Sequence, residues 1–173
     1  PSLGVLLDAW GQKTGGRVPT IDEIRVAQTK SGVRCVEFDR RAKRLCTRCP
    51  GIEFDFGGIG KGMALDEAAA VLKARGISSA LLDFGGQVLA IGVPPEESGW
   101  LIDIADPRDR SKRVLTLRVR DKSVSTSSNS ERFFERDGVH YGHILDPRTG
   151  APLTRDDQVT VIAARATDAD AAS

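Results

Sequence analysis

Four glycines and one lysine stand between Gly57 and Gly62, and a segment with good helix propensity follows them. Glycine lets a backbone approach a ligand closely, and a helix N-terminus presents unpaired N–H groups and a partial positive charge. Lys61 adds a full positive charge at the same place. This spacing indicates a site for a phosphate-bearing ligand. The alternative is a tight strand-to-helix turn that leaves Lys61 in solvent.

The two common phosphate-binding loops do not account for this cluster. A Walker A loop requires Ser or Thr after its Gly-Lys pair, whereas Gly62 follows Lys61, and Asp55 stands where the first glycine belongs. The dinucleotide fingerprint G-x-G-x-x-G requires a third glycine at the position of Met63. A ligand at Gly57–Gly62 would therefore be held in another way.

A candidate general base lies in the segment Tyr141–Pro152. His143 is one of two histidines in the chain and stands just before an Asp146-Pro turn. An imidazole there is able to take a proton near neutral pH, with Asp146 orienting the ring or its loop. A strand histidine also serves as a structural hydrogen-bonding group, and Asp before Pro is a standard turn former. The residues alone leave both interpretations open.

Two further groups of polar side chains are candidates for ligand binding. Asp170 lies in the acidic segment Thr167–Ser173, where carboxylates in a first helical turn ordinarily favour the helix dipole. If Asp170 faces a cleft that holds a diphosphate, it would instead ligate a hard cation such as Mg²⁺. The hydroxyl run of residues 125–128 suits hydrogen bonding to a polar ligand, or marks only the end of a strand.

The composition is that of an ordinary globular domain. The chain has 173 residues, of which 40% are hydrophobic and 28% charged, enough for one domain with a core. The formal net charge of +1 gives no indication of a nucleic-acid footprint or a polybasic membrane patch, and no apolar run is long enough to span a bilayer. Cys35, Cys46 and Cys49 do not form the paired spacings of a structural zinc site, so we expect incidental thiols or one local disulfide.

Short strands dominate the predicted elements. We expect helices at Pro19–Lys30, with a capping box at Thr20, at Ala64–Arg75, with Gly76 as its C-cap, and in a terminal segment capped by Thr167 or Asp168. The predicted strands lie at Val33–Asp39, Ile77–Phe84, Gln87–Ile91, 100–107, 114–120, 123–128, 143–146 and 158–164. This mixture favours an α+β fold with a mainly antiparallel sheet and flanking helices.

Five segments occur in one order: DFGGIGKGMALDEAA, ALLDFGGQVLAIG, SVSTSSNSERFF, YGHILDPRTGAP and TDADAAS. In that order they resemble the ApbE family, the FAD:protein FMN transferases. The resemblance covers residues 1–173 as a single domain and implies that the N-terminal third and the C-terminal end of a complete member are missing. It implies Mg²⁺-dependent cleavage of FAD, transfer of FMN to a Thr or Ser of a target protein, and release of AMP. The alternatives are an FAD pyrophosphatase giving free FMN and AMP, or a non-catalytic flavin-binding module.

The resemblance also assigns roles to individual residues. It implies that His143 activates the acceptor hydroxyl, that the Gly58 carbonyl and Asp170 bind the metal, and that FAD contacts Asp55, Lys61, Thr126, His143 and Ile144. The sequence departs from the family pattern at Ser128, where relatives carry Gly, and at Gln87, where they carry an acid.

The resemblance implies a partner and a location as well. The expected partner is a target protein of the FMN-binding redox subunit type, with no nucleic acid. We expect a periplasmic or cell-envelope location, with membrane association only through a segment outside this chain.

Overall fold

The computed structural model describes residues 3–129, 132–155 and 157–173. Residues 130 and 131 of the segment SVSTSSNSERFF lie outside the described residues. The chain divides into two compact units. The first contains the residues up to Asp55 together with Asn129–Arg155, and the second contains Phe56–Ser128 and Asp156–Ser173.

The elements follow one another as short helices and strands. The helices are α1 (Gly4–Ala9), α2 (Ile21–Thr29), a 3₁₀ turn (Val33–Cys35), α3 (Gly60–Ala74) and α4 (Ala166–Ala172). The strands are β1 (Val36–Asp39), β2 (Arg44–Thr47), β3 (Ala80–Phe84), β4 (Gln87–Ile91), β5 (Trp100–Ala105), β6 (Arg113–Val119), β7 (Ser123–Ser128), β8 (Phe133–Arg136), β9 (Val139–Gly142), β10 (Leu145–Asp146), β11 (Ala151–Pro152) and β12 (Gln158–Ala163). None of the helices in the described residues has the length and apolar character needed to cross a lipid bilayer.

The second unit is built on a four-stranded sheet in the order β12-β7-β4-β3. Every pairing within it is antiparallel. One cluster joins Leu89 and Ile91 of β4 to Leu65 of α3 and Ala166 of α4. Successive strand residues face opposite sides, and Ala90 accordingly belongs to a second cluster with the β5–β6 ribbon. Helices α3 and α4 therefore cover one face of the sheet, and the predicted α+β class is confirmed.

The first unit consists of α1, α2 and three antiparallel two-stranded hairpins, β1–β2, β8–β9 and β10–β11. Its core contains Leu6, Trp10, Ala27 and Leu145. The Trp10 indole N–H donates to the carbonyl of Gly150 at 2.7 Å, so its polar end is satisfied inside the core.

Local signals for helix ends are confirmed in two places. Thr20 and Glu23 form the predicted capping box of α2. Gly76 adopts φ 79° after α3, and the Ile77 N–H donates to the Leu72 carbonyl at 3.1 Å, as in a Schellman motif. Because residues 76 and 77 complete this cap, β3 begins at Ala80 and not at Ile77 as predicted.

Other predicted boundaries are wrong as well. Helix α3 begins at Gly60, not at Ala64. The strand predicted at Val33–Asp39 begins only at Val36, because Val33–Cys35 forms a 3₁₀ turn. Helix α4 begins at Ala166 after an Arg165 N-cap without a side-chain cap, so neither Thr167 nor Asp168 caps it.

A disulfide joins Cys35 and Cys49 in the first unit and encloses the β1–β2 hairpin. Cys46 is a free, exposed thiol. The bond pairs Cys49 with the distant Cys35 and not with its CxxC neighbour. Both expectations for the cysteines are therefore met, the local disulfide by Cys35 and Cys49 and the incidental thiol by Cys46.

Candidate functional site

The predicted site residues divide between the two units. Gly58, Lys61, Thr126 and Asp170 lie in the second unit, and Asp55, His143 and Ile144 lie in the first. Each group is positioned by the elements of its own unit.

The glycine-rich turn before α3 leaves open space beside its backbone. A Cβ added at Gly58 or at Gly60 would meet no atom within 4 Å, and neither residue has a positive φ. Neither the packing nor the backbone conformation therefore requires glycine at these two positions. Open space beside a bare backbone is what close approach by a ligand requires.

Gly62 differs from its neighbours because it is needed for helix packing. A Cβ there would collide with the backbone carbonyl of Ala166 at the start of α4. The absence of a side chain lets α4 cross close to the first turn of α3. Of the four glycines in this cluster, Gly62 is thus used for packing, and Gly58 and Gly60 face open space.

Asp170 binds the N-terminus of α3 from the neighbouring helix. One carboxylate oxygen, Oδ2, accepts from the Gly62 N–H at 2.9 Å, and Oδ1 accepts from Lys61 Nζ at 3.0 Å. The Asp170 side chain is 2% exposed, whereas that of Lys61 is 37% exposed. The anion at the α3 N-terminus is therefore a buried carboxylate of the chain itself. This contact also explains why α3 starts early, since it satisfies an N–H that would otherwise lack a partner.

Asp66 of α3 binds the N-terminus of α4 in the same manner. Its carboxylate accepts from the N–H of Ala166 at 2.8 Å, from the N–H of Thr167 at 3.0 Å and from the Thr167 hydroxyl at 2.6 Å. Partial burial raises the pKa of Asp66, but the hydrogen bonds from Thr167 and Ala166 outweigh it and hold the pKa below its ordinary value. Each of the two helices is thus capped by a carboxylate of the other.

Gln87 adds a third contact to the start of α4. Its side chain is buried, and Nε2 donates to the carbonyl of Ala166 at 2.8 Å. An ionised acid at this position could not donate such a bond. The departure from the family pattern at Gln87 therefore gives α4 an anchor.

The second glycine pair, Gly85-Gly86, forms the turn between β3 and β4. Both residues have positive φ, as a two-residue hairpin turn of this type requires. A Cβ at Gly85 would lie 3.8 Å from Cδ of Lys61, so this turn lies beside the lysine. The Gly85-Gly86 turn and the glycine-rich turn before α3 therefore meet at Lys61.

The hydroxyl side chains of β7 face two directions. Ser125 and Ser127 bond to the Ser173 hydroxyl of α4 at 3.1 and 2.9 Å. Thr126 bonds to the Thr160 hydroxyl of β12 at 3.0 Å. Because strand residues alternate, Thr126 lies on the face opposite to the two serines. Ser128 is buried at the end of the strand.

His143 lies at the end of β9 in the first unit. Its backbone N–H donates to the Arg132 carbonyl at 3.0 Å, and Nδ1 lies 3.1 Å from the same oxygen. A carbonyl oxygen only accepts, so Nδ1 donates to it, and in the neutral ring Nε2 then carries the lone pair. The ring is therefore held in a tautomer that suits a general base.

The preceding residue, Gly142, explains how this segment is fixed. A side chain there would occupy the position of the Asn129 side chain, which is buried. Asn129 donates through Nδ2 to the Leu153 carbonyl at 2.7 Å and to the Arg155 carbonyl at 3.1 Å. The strand that leads to His143 thus passes directly over a buried amide.

Asp55 and Ile144 are also placed by contacts in the first unit. Asp55 forms an ion pair with Lys13 at 3.1 Å, and this contact raises the pKa of Lys13. The Ile144 carbonyl accepts from the Leu153 N–H at 2.8 Å next to the β10–β11 hairpin. The carboxylate of Asp146 accepts from Arg148 at 2.8 to 3.0 Å, which lowers its pKa to about 2 and supports the turn-forming interpretation.

The second unit has the donor chemistry for a hard cation that is shared with a ligand. Within the described residues, no group of three or more His, Cys, Asp or Glu side chains could form a metal site by itself. Asp170 supplies one buried carboxylate, and each of its oxygens keeps a lone pair beyond its single hydrogen bond. Mg²⁺ ordinarily takes one or two carboxylates and completes its shell with water and phosphate oxygens. The residues present therefore fit such an ion.

The contacts of Asp66 and Gln87 with α4 were not predicted from the sequence. Asp66 lies 100 residues from Ala166, so no local pattern could reveal the pairing. The start of α4 gave no usable signal either, because Thr167 and Asp168 offered an apparent local cap in the sequence.

Comparison with known proteins gives one family. The sequence profile of the ApbE family matches residues 1–173. The FAD:protein FMN transferase of Treponema pallidum is 36% identical over an aligned length of 187 residues. The alignment covers 99% of this chain and 52% of that protein. The FAD:protein FMN transferase of Klebsiella pneumoniae is 33% identical over 98% of this chain and 52% of its own length. The chain thus spans about half the length of the curated relatives it matches.

Solved structures give the same result. The crystal structure of an ApbE protein from Thermotoga maritima matches with a TM-score of 0.90 and 38% identity, over 100% of this chain and 57% of that one. The apo form of the flavinyl transferase ApbE from Pseudomonas stutzeri matches with a TM-score of 0.82 and 35% identity, over 98% of this chain and 53% of that one.

Proposed function

The chain belongs to the ApbE family, and because of that membership we propose that the protein transfers FMN from FAD to a hydroxyl of a target protein. The related proteins of Treponema pallidum and Klebsiella pneumoniae bear the name FAD:protein FMN transferase. The observation that carries the proposal is the contact of Asp170 and Lys61 beside a glycine turn with open space at its backbone. Such a place suits the diphosphate of FAD.

In this proposal the second unit binds the diphosphate. Lys61 has three N–H donors, of which one bonds to Asp170, and the partly exposed ammonium keeps donors for phosphate oxygens. The bare backbone at Gly58 and Gly60 lets the diphosphate come close. Phosphoryl transfer depends mainly on positioning and charge neutralisation, and these residues provide both.

The proposed cation is Mg²⁺, held by Asp170 and the Gly58 carbonyl. When bound, the ion would neutralise charge that develops on the diphosphate oxygens. The buried Asp170 carboxylate supports this assignment, because its two contacts with α3 fix both of its oxygens in place.

His143 is proposed as the general base. Nδ1 donates to the Arg132 carbonyl, and Nε2 is the ring nitrogen proposed to take the proton of the acceptor hydroxyl. Asp55, Ile144 and Thr126 are proposed to contact FAD, and for these three the family resemblance is the support.

The proposed partner is a protein that carries the acceptor Thr or Ser, and the proposed location is the periplasm or cell envelope. The Cys35–Cys49 disulfide supports the location, since disulfides persist mainly in oxidising compartments.

The test separates transfer from simple hydrolysis. The protein is incubated with FAD, Mg²⁺ and an envelope extract, AMP and FMN are quantified by chromatography, and flavin fluorescence is read in a denaturing gel. Transfer gives AMP together with a fluorescent protein band, whereas a pyrophosphatase gives AMP and equal free FMN with no band. Replacing His143 by Ala should slow transfer about 10²- to 10⁴-fold. His140, the other histidine, provides the matched control. FMN transfer by the His143→Ala variant at the wild-type rate would contradict the assignment of His143 as the general base.

A further inference from the structure

The β1–β2 hairpin concentrates positive charge that the total for the chain conceals. Residues 36–48 contain five cationic side chains and two carboxylates, a net charge of +3, whereas the whole chain carries +1. The remainder of the chain is therefore net negative, at −2. Charge separated in this way orients a protein toward an anionic surface.

Four of the five cations lie at the turn and at its edge, namely Arg40, Arg41, Lys43 and Arg44. None of these four side chains has a hydrogen bond or an ion pair with the described residues, whereas Arg48 is paired with Glu37. The Asp39 carboxylate is used by the turn itself, where it accepts from the N–H groups of residues 41 and 42. The positive charge at the tip is thus available to a partner.

The hairpin has one apolar face. Val36 pairs with Thr47 and Phe38 pairs with Leu45 across the strands, so their side chains share a face. Phe38 is 58% exposed and Leu45 is 50% exposed. Glu37, Arg44 and Cys46 occupy the opposite, polar face.

The hairpin has almost no packing against the rest of its unit. Every residue from Glu37 to Arg48 is exposed. A two-stranded ribbon of this kind is marginal in water, and here the Cys35–Cys49 disulfide closes its base. The fold therefore maintains a projecting, cationic and partly apolar ribbon that contributes little to its core.

We propose that this hairpin docks on an anionic lipid bilayer, with Phe38 and Leu45 at the boundary between headgroups and acyl chains and the four unpaired cations among the headgroups. Basic residues beside exposed Phe and Leu are the combination that binds membrane interfaces. Long cationic side chains without fixed partners suit the diffuse charge of a lipid surface. The proposal is independent of the transferase proposal, and it replaces the expectation of membrane association only through another segment.

The test is flotation of the protein with vesicles of phosphatidylcholine, with and without phosphatidylglycerol, at low and high KCl. We expect binding only to the anionic vesicles, and we expect high salt to weaken it. Each lost cation should weaken binding about fivefold. The variant R40Q/R41Q/K43Q/R44Q should therefore bind anionic vesicles at least about a hundredfold more weakly than wild type. The variant K112Q/R113Q/R118Q/R120Q removes the same charge from exposed residues of the other unit that have ion-pair partners, and it should retain most of the binding.

A second pair of measurements examines the apolar face. Replacing Phe38 and Leu45 by Ser should weaken binding at least about tenfold while leaving its salt dependence unchanged. In Phe38→Trp, the added tryptophan should be quenched by brominated lipid. Circular dichroism of each variant checks that the fold is retained.

Several results would overturn the proposal. They are absence of binding to anionic vesicles at low salt, equal loss in the two charge variants, and equal binding to neutral vesicles. Retention by double-stranded DNA or by an acidic protein, without binding to vesicles, would likewise assign the hairpin to another partner.

Discussion

Replacing Asp66 by Ala should destabilise the second unit more than any change of an exposed acid on the same helix pair. The substitution removes three hydrogen bonds to a carboxylate, at 2.6, 2.8 and 3.0 Å. Hydrogen bonds to charged groups contribute about 1.5–3 kcal/mol each when buried, and loss of a helix cap costs about 0.5–2 kcal/mol. The Asp66 side chain is 21% exposed. The hydrogen-bond and helix-cap contributions describe the same contacts, so they are not added together. We therefore expect a loss of about 3 kcal/mol in the free energy of unfolding.

For a chain of this length, about 3 kcal/mol corresponds to a decrease of about 6–12 °C in melting temperature. Urea unfolding followed by circular dichroism measures the free energy directly. Asp66→Asn keeps one acceptor and should lose about half as much. Asp168→Asn is the matched control, because Asp168 is exposed on α4 and a dipole effect there amounts to about 0.5 kcal/mol.

The pH dependence provides an independent check. The pKa of Asp66 is lowered in the folded protein, so its carboxylate contributes stability that is complete above the unfolded pKa of about 4 and is lost as the pH falls through the lower folded pKa. The difference in stability between wild type and Asp66→Asn should be constant from neutral pH down to about pH 5 and shrink below about pH 4. A difference that persists at low pH, or an Asp66→Ala variant as stable as wild type, would refute the reciprocal capping of α3 and α4.

Two other substitutions test features of the fold. Gly62→Ala should destabilise the protein by at least about 2 kcal/mol, because the added Cβ meets the backbone of Ala166. Gly60→Ala, with open space around it, should leave the free energy of unfolding in urea unchanged. Equal effects of the two substitutions would contradict the assigned packing of Gly62 against α4. Cys35→Ser should cost about 3 kcal/mol by removing the bond to Cys49, and Cys46→Ser should cost almost nothing under oxidising conditions. A reducing agent should lower the stability of wild type but not that of Cys35→Ser. An equally small effect on both proteins would show that the disulfide is not formed.

The parts of the fold that could be predicted from the sequence depend on near neighbours. The Thr20–Glu23 capping box and the Gly85-Gly86 turn involve residues within three positions of each other. Short-range hydrogen bonds and backbone preferences determine both, so the pattern of residues is sufficient.

The boundaries that were wrong depend on distant residues. Helix α3 begins four residues before the predicted Ala64, although glycine is a poor helix former, because the carboxylate of Asp170 satisfies the Gly62 N–H from 108 positions away. The cap of α4 comes from Asp66 for the same reason. Such contacts exist only once the chain has folded.

The candidate site likewise has features that could be predicted from the sequence and features that depend on distant residues. The glycine turn with Lys61 and the carboxylate of Asp170 were identified from residue types and family resemblance, and the structure brings Lys61 and Asp170 together. The face on which each hydroxyl of β7 lies follows from strand alternation, yet the pairing of Thr126 with Thr160 required knowledge of the strand order.

The most direct test of the account measures the rate of AMP release from FAD as a function of Mg²⁺ concentration for wild type, Asp170→Ala and Asp168→Ala. We predict Mg²⁺-dependent release by wild type and by Asp168→Ala. Asp170→Ala should lose the release or require far more Mg²⁺, because this variant lacks the carboxylate proposed to bind the metal. Release by Asp170→Ala at the wild-type rate and with the same Mg²⁺ dependence would contradict the claim that this carboxylate and the glycine turn hold a metal-bound FAD diphosphate.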